Sequence, residues 1–406
     1  MWELIKANRR KSISLFILMG LFLLILGYLI GEYLFYDGMM GIILATLIWL
    51  IQSAVSYFSG TSIVLAVSGA KKVTHDVHPK LFNIVEEMKL AAGLPVMPEV
   101  YIINSEAPNA FATGSTPNKC AIVVTAGLLV QLNRDELQGV VAHETSHILN
   151  RDVRFITFAA IMLGTIVLIS ELMLRGFYFR SGASRRYNNR SGSSQIQLII
   201  IIVSIVFAIL APLLAQLLYF SISRKREYLA DATAVQLTRF PNGLATALEK
   251  IAASNLDLKS ANKVTAPMYI ANPLKKKGMR LKDLTSTHPP ISERIRILRT
   301  LAGDPDNLNY KSAYAFVKKS RTKPVMETGI NKLSSESAIE SAPAKIGADE
   351  IKNSKRELGN IMMAVNNYAF IHCTCGLKMK IPSGFNRNEV MCPKCGKMNR
   401  IIRPSA

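Results

Sequence analysis

The stretch NRDELQGVVAHETSHILN, residues 133–150, decides how this 406-residue chain is read. Asn133 followed three residues later by Glu136 has the pattern of an N-cap with its capping-box partner, so a helix opens there. On that helix His143 and His147 stand four residues apart and project from one face toward a single metal ion. Glu144 lies about 100° further around the helix, an offset that suits a group beside the metal better than a ligand. Zinc held by such a pair lowers the pKa of a water it binds to about 7, and a neighbouring carboxylate takes the proton as that water attacks a peptide carbonyl. The plainer reading, two histidines on a polar helix face, competes poorly. With six histidines in the chain, a chance HExxH is expected about a few times in a thousand.

Two histidines leave zinc short of a third protein ligand, and residues 150–155 supply no further histidine. The next candidate is Glu227 in SRKREYLAD, residues 223–231. Read from its neighbours alone, it serves equally well as an acid balancing Arg224 and Arg226 on an exposed face. Asp231 follows one turn on and faces the same way, within reach of the outer N–H of a ligand histidine.

Outward from this segment the chain turns apolar. Half of its residues are hydrophobic, mean hydropathy is +0.23, and four apolar runs cover residues 12–30, 41–67, 155–174 and 196–220. Each matches or exceeds the roughly 18–20 residues that a helix needs to cross about 30 Å of hydrocarbon. The first run, with basic Lys6, Arg9, Arg10 and Lys11 before it, reads as a retained anchor and not as a cleaved signal. A formal charge of +21 suits lipid better than nucleic acid, because many Lys and Arg flank the runs. Lys71 and Lys72 belong on the cytoplasmic side with the N-terminus, and acidic Glu32 and Asp37 outside. Five arginines between the last two runs strain this rule. That hairpin either spans with arginines outside or dips without crossing; both versions return residue 224 to the side of residue 150.

Between the runs, residues 80–92 read as a helix, 99–103, 109–114 and 121–125 as short extended pieces, 225–237 and 291–301 as helices. His75 and His78 read as surface residues. Residues 311–366 are Ser-, Glu-, Lys- and Ala-rich and read as a flexible linker. In the tail, Cys373-Thr-Cys375-Gly and Cys392-Pro-Lys-Cys395-Gly pair as two knuckles, which favours a four-thiolate zinc ribbon in a reducing compartment over disulfides. The CxC spacing of the first knuckle is tighter than usual, and His372 is a possible substitute ligand. A ribbon this small takes its folding energy from the metal. Peptide or protein capture is its first expected role.

Four features in order, Asn109-Ala-Phe-Ala-Thr-Gly114, His143-Glu-Thr-Ser-His147, the segment from Glu227 to Asp231 and Thr287-His288-Pro289, resemble the HtpX-type membrane metalloproteases, relatives of the proteases that process prenylated CaaX proteins. The resemblance covers about residues 1–300 and leaves out the ribbon. It implies a gluzincin-like α+β catalytic domain with Glu227 as third ligand, and an edge strand through Asn109, Ala110, Phe111 and Ala112 on which an extended substrate pairs. His288 either stabilises the oxyanion or only caps a helix. The expected molecule is mainly α and polytopic, with about four apolar helices. Residues 1–67 form a membrane region and 68–310 a cytoplasmic protease domain interrupted by the hairpin at about 155–220. The linker at 311–366 and the zinc ribbon at 367–406 follow. The resemblance further implies protein or peptide substrates, a lipid bilayer as partner and a role in quality control. A non-hydrolytic adaptor would have no use for a base at Glu144, and a CaaX-processing protease would differ in substrate only.

Overall fold

The computed structural model describes residues 2–35, 37–116, 118–181, 226–258, 265–273, 289–303 and 348–401, with isolated positions in 202–224, at 261 and in 310–317. Helices dominate. Two long ones, α1 (Trp2–Phe35) and α2 (Gly38–Val67), form an antiparallel pair joined at Asp37, whose carboxylate accepts from the backbone N–H groups of Met39 and Met40. Their close approach depends on glycine. A side chain on Gly31 would meet the Gly41 Cα at 2.6 Å, and one on Gly41 would run into the Gly27 carbonyl. We therefore expect Gly41→Leu to lower the thermal midpoint of the detergent-solubilised protein by forcing the pair apart, since overpacking costs about 1–3 kcal/mol. An unchanged midpoint would contradict this packing.

Among the described residues, α2 is the helix long and apolar enough to cross a membrane, and Phe16–Glu32 in α1 is a shorter apolar stretch. Along α2, Met39, Ile43, Leu47, Leu50, Ile51 and Phe58 are exposed, a face that only another apolar phase would accept. The third run lies within α6 (Asp152–Ser181). Most of the fourth falls outside the described residues.

A four-stranded sheet sits between these apolar helices and a layer of amphipathic ones. Its order is β1 (Ala70–Lys72), β2 (Glu99–Ile103), β4 (Lys119–Thr125), β3 (Ala110–Thr116); β2 and β4 are parallel, the outer pairs antiparallel. Val100, Ile102, Ala110, Ala112, Ile122 and Val124 face a core shared with α3 (Pro79–Ala92), α4 (Ala126–Gln131), α5 (Arg134–Leu149), α8 (Pro241–Ala253) and α9 (Ile291–Ala302). Ile103, Phe111, Ala121 and Val123 face the other way, onto Val64 and Leu65 of α2 and Met162 and Ile166 of α6. Burial on both faces explains why β2 and β4 read as near-continuous apolar runs. The apolar helices are thus rooted directly in the sheet.

Helix α5 carries HETSH through the middle of the core. Its capping box forms as read: the Asn133 side chain accepts from the Glu136 N–H, and Glu136 accepts from the Asn133 N–H. Gly139 lets α8 approach, since a Cβ there would stand 2.6 Å from the Leu244 nitrogen. The helix at 226–238, called α7, follows the fourth run.

Two expectations need correction. Residues 348–365 are not flexible linker but helix α10 (Ala348–Val365), and Ala313 and Val317 also join the core beneath the sheet. Leu358, Ile361, Met362 and Val365 recur at helical spacing and dock on that core, while Lys71 donates to the Asn366 side chain. An average over composition hid that periodic face. His78 is not a plain surface residue: its Nδ1 accepts the Leu81 N–H at the start of α3, and burial lowers its pKa. His75 is exposed as expected.

Candidate metal centre

Helix α5 projects His143 and His147 to one side, their rings 4.8 Å apart and nearly perpendicular. Across from them α7 supplies Glu227. One of its oxygens lies 3.5 Å from His143 Nε2 and the other 3.4 Å from His147 Nε2. Three donors about 2.0–2.1 Å from a tetrahedral ion stand about 3.3 Å apart, so this spacing suits one zinc. These are the three groups the sequence singled out, and the fold brings them together.

Each ring is held from behind. Asp231 lies 3.0 Å from His143 Nδ1, and Asp152 3.5 Å from His147 Nδ1, which leaves both Nε2 atoms directed at the shared point. Asp231 was expected; Asp152 was not, although it directly follows the Asn150–Arg151 turn that ends α5. Arg151 takes a positive φ of 59° there, turning the chain so that α6 begins beside the helix it leaves. Behind the two carboxylates stand two buried arginines, also unforeseen. Arg294 bonds both oxygens of Asp231 at 2.7 and 2.8 Å. Arg226 lies 3.7 Å from Asp152 and stacks on the Phe155 ring at 3.9 Å.

Charge tests whether a metal fits. Glu144, Asp152, Glu227 and Asp231 surround the histidines with Arg226 and Arg294, all at most 3% exposed. When all are ionised, two negative charges remain uncompensated among these six groups, matching one divalent cation. Burial alone would pull the imidazoles down. Asp152 and Glu227 instead push His147 up to about 10, and Asp231 and Glu227 raise His143 as well. A pocket that draws positive charge onto its nitrogens, with two imidazoles and a carboxylate converging, has the donor set of a zinc site.

Glu144 is 1% exposed, and neither carboxylate oxygen has a hydrogen-bond partner among the described residues. Burial raises its pKa, and the nearby histidines offset this only in part. A carboxylate with free lone pairs and raised basicity is equipped to take up a proton.

The expected substrate strand is buried from Asn109 to Thr113, and its head is already paired. The Asn109 amide exchanges hydrogen bonds with the backbone of Ala271, and the Ala110 carbonyl accepts the Ile270 N–H at 2.8 Å. The Asn109 carbonyl accepts from Thr125 in β4, so the backbone N–H and C=O groups of Phe111 point toward β4 and those of Ala110 and Ala112 away from it. Phe111 packs edge-on against Tyr269. Among the described residues no backbone partner occupies the outward edge at Ala112. His288 lies outside the described residues.

In the tail, β5 (Ala369–His372) pairs with β6 (Lys378–Ile381), and β7 (Glu389–Met391) with β8 (Met398–Arg400). Gly376 and Gly396 take positive φ values of 82° and 75°, closing the two knuckles. Cys373 and Cys395 sulfurs stand 3.4 Å apart and those of Cys375 and Cys392 3.6 Å, with all four within 4.8 Å of one another. That is too far for disulfides and close to the roughly 3.8 Å between thiolates on a tetrahedral zinc at 2.3 Å. Cys373→Ser should remove one metal equivalent and loosen the ribbon while the α5 site keeps its own. Loss of both metals would show that the sites are not independent.

A metallopeptidase is the class that this histidine–carboxylate arrangement defines. Residues 76–302 match the family described as Peptidase family M48. The "Protease HtpX homolog" of Dictyoglomus turgidum is 46% identical over 300 residues, 74% of this chain and 94% of that protein. Its counterpart in Listeria monocytogenes serotype 4b (strain CLIP80459) is 42% identical over 305 residues, 74% of this chain and all of that protein. A crystal structure of S. mikatae Ste24p aligns at 21% identity with a TM-score of 0.39, covering 73% of this chain and 67% of that one. The chain belongs to peptidase family M48. That membership bears out the enzyme class read from the sequence, a zinc metalloprotease.

Proposed function

We propose that the chain is a membrane-embedded zinc endopeptidase that cleaves membrane or misfolded proteins on the cytoplasmic side, in protein quality control. The convergence of His143, His147 and Glu227 beside Glu144, which has no hydrogen-bond partner among the described residues, carries this reading. The first three would hold the catalytic ion, and Asp231 and Asp152 orient the rings. When bound, zinc supplies Lewis-acid polarisation and makes water a nucleophile near neutral pH. Glu144 accepts the proton of the attacking water and delivers it to the leaving amide nitrogen. The substrate backbone pairs with the outward edge of β3 from Ala112, while Asn109 and Ala110 secure the head of that strand and Phe111 packs beneath it. His288 stabilises the oxyanion; Arg294, six residues on, already reaches within 3.4 Å of His143.

The remaining assignments follow the charge pattern and the apolar runs. Four apolar helices anchor the chain, residues 1–67 forming the first pair, and the protease domain and ribbon face the cytoplasm. The domain occupies about 68–310 around the hairpin at 155–220, with α10 as an added docked helix. Cys373, Cys375, Cys392 and Cys395 hold a structural zinc, and the ribbon captures protein, not nucleic acid. Purified full-length protein in detergent should cleave unfolded casein. No cleavage with the α5 metal bound would defeat the proposal.

A further inference from the structure

Arg294 enters none of the catalytic roles above, yet its guanidinium is fully buried beside the metal ligands. A buried guanidinium persists only where its donors are engaged. Its Nε and Nη2 fork onto the two oxygens of Asp231, and Nη1 lies 3.5 Å from Glu227 and donates to the Ile270 carbonyl at 3.0 Å. Ile270 in turn donates its N–H to the Ala110 carbonyl, and Ala271 is clamped by the Asn109 amide. Hydrogen bonds therefore run from Asp231, the carboxylate behind the His143 ring, through one side chain to the head of strand β3, with the ligand carboxylate of Glu227 an ion-pair neighbour of the same guanidinium. Arg294 comes from α9, so the path joins the metal helices, the 270–271 segment and the sheet.

We infer that Arg294 is a positioning residue that fixes the substrate-pairing strand in register with the metal ligands, so that loosening either end is felt at the other. The inference rests on the metal and edge-strand assignments proposed above. Arginine suits this task because its planar fork meets a carboxylate with two donors and a backbone carbonyl with a third. Lysine, a point charge on a flexible stem, cannot keep those directions at once. A coupling of this kind must act both ways.

The test uses full-length protein in detergent, following zinc release to a coloured chelator, with release from the ribbon as internal reference. Arg294→Lys should speed release from the α5 site about 10- to 100-fold, as loss of an outer partner of a ligand does. With zinc saturating, it should also raise the KM for an unfolded peptide about fivefold or more. Asn109→Asp keeps the shape and touches no ligand, yet should speed release about 2- to 30-fold. A merely structural arginine would shift the melting temperature and leave KM unmoved. Unchanged release in Arg294→Lys overturns the positioning role. Unchanged KM there, or unchanged release in Asn109→Asp, overturns the coupling. If Arg294→Lys does not fold, the Asn109 variant decides alone. His147→Ala serves as control: if it keeps the α5 zinc, the metal assignment itself fails, and not the inference.

Discussion

Glu144→Gln should lower cleavage of an unfolded substrate by about 10²- to 10⁴-fold, the usual contribution of a general base, while two metal equivalents stay bound. The side chain is buried, its oxygens are free of hydrogen-bond partners among the described residues, and burial raises its basicity. Glutamine keeps the volume and removes only the proton acceptor. The buried amide loses no existing bond in the process, so folding should change little. Cleavage assayed beside metal analysis on the same sample separates the two effects. Cleavage within a few-fold of wild type would remove Glu144 from the chemistry.

Glu227→Ala should release the α5 metal and abolish cleavage, while about one equivalent remains on the four cysteines. Loss of an outer hydrogen-bond partner typically costs about 10- to 100-fold in metal affinity. Glu227 sits 3.4–3.5 Å from both Nε2 atoms, so its loss should exceed that range. Two buried histidines without the carboxylate cannot complete a three-ligand site. Metal analysis of the purified variant checks this. Two equivalents retained would mean that Glu227 does not bind the ion.

How much of this was legible in the chain depends on distance along it. His143, Glu144, His147 and the Asn133–Glu136 cap lie on one helix, where spacing alone fixes direction. Glu227 and Asp231 share another helix, one turn apart, and the returning hairpin predicted which side they face. Arg294 was not legible: it lies 63 residues from Asp231 in an amphipathic helix, where an arginine ordinarily points to water. Asp152 and Arg226 were hidden for a similar reason, because their meeting with Phe155 depends on how α6 and α7 converge. Strands β2 and β4 stood out as apolar runs. Strand β1 did not, since Lys71 and Lys72 read as membrane-flanking charge. Helix α10 was lost to an average over composition, although Leu358, Ile361, Met362 and Val365 carry its period.

The most direct test of a metal-dependent protease centred on HETSH is cleavage by the full-length wild type after selective removal and return of the α5 zinc. Cleavage should vanish as that equivalent leaves and return as it is restored, with any metal on the four cysteines left in place throughout. Cleavage that persists with His143, His147 and Glu227 free of metal would contradict it.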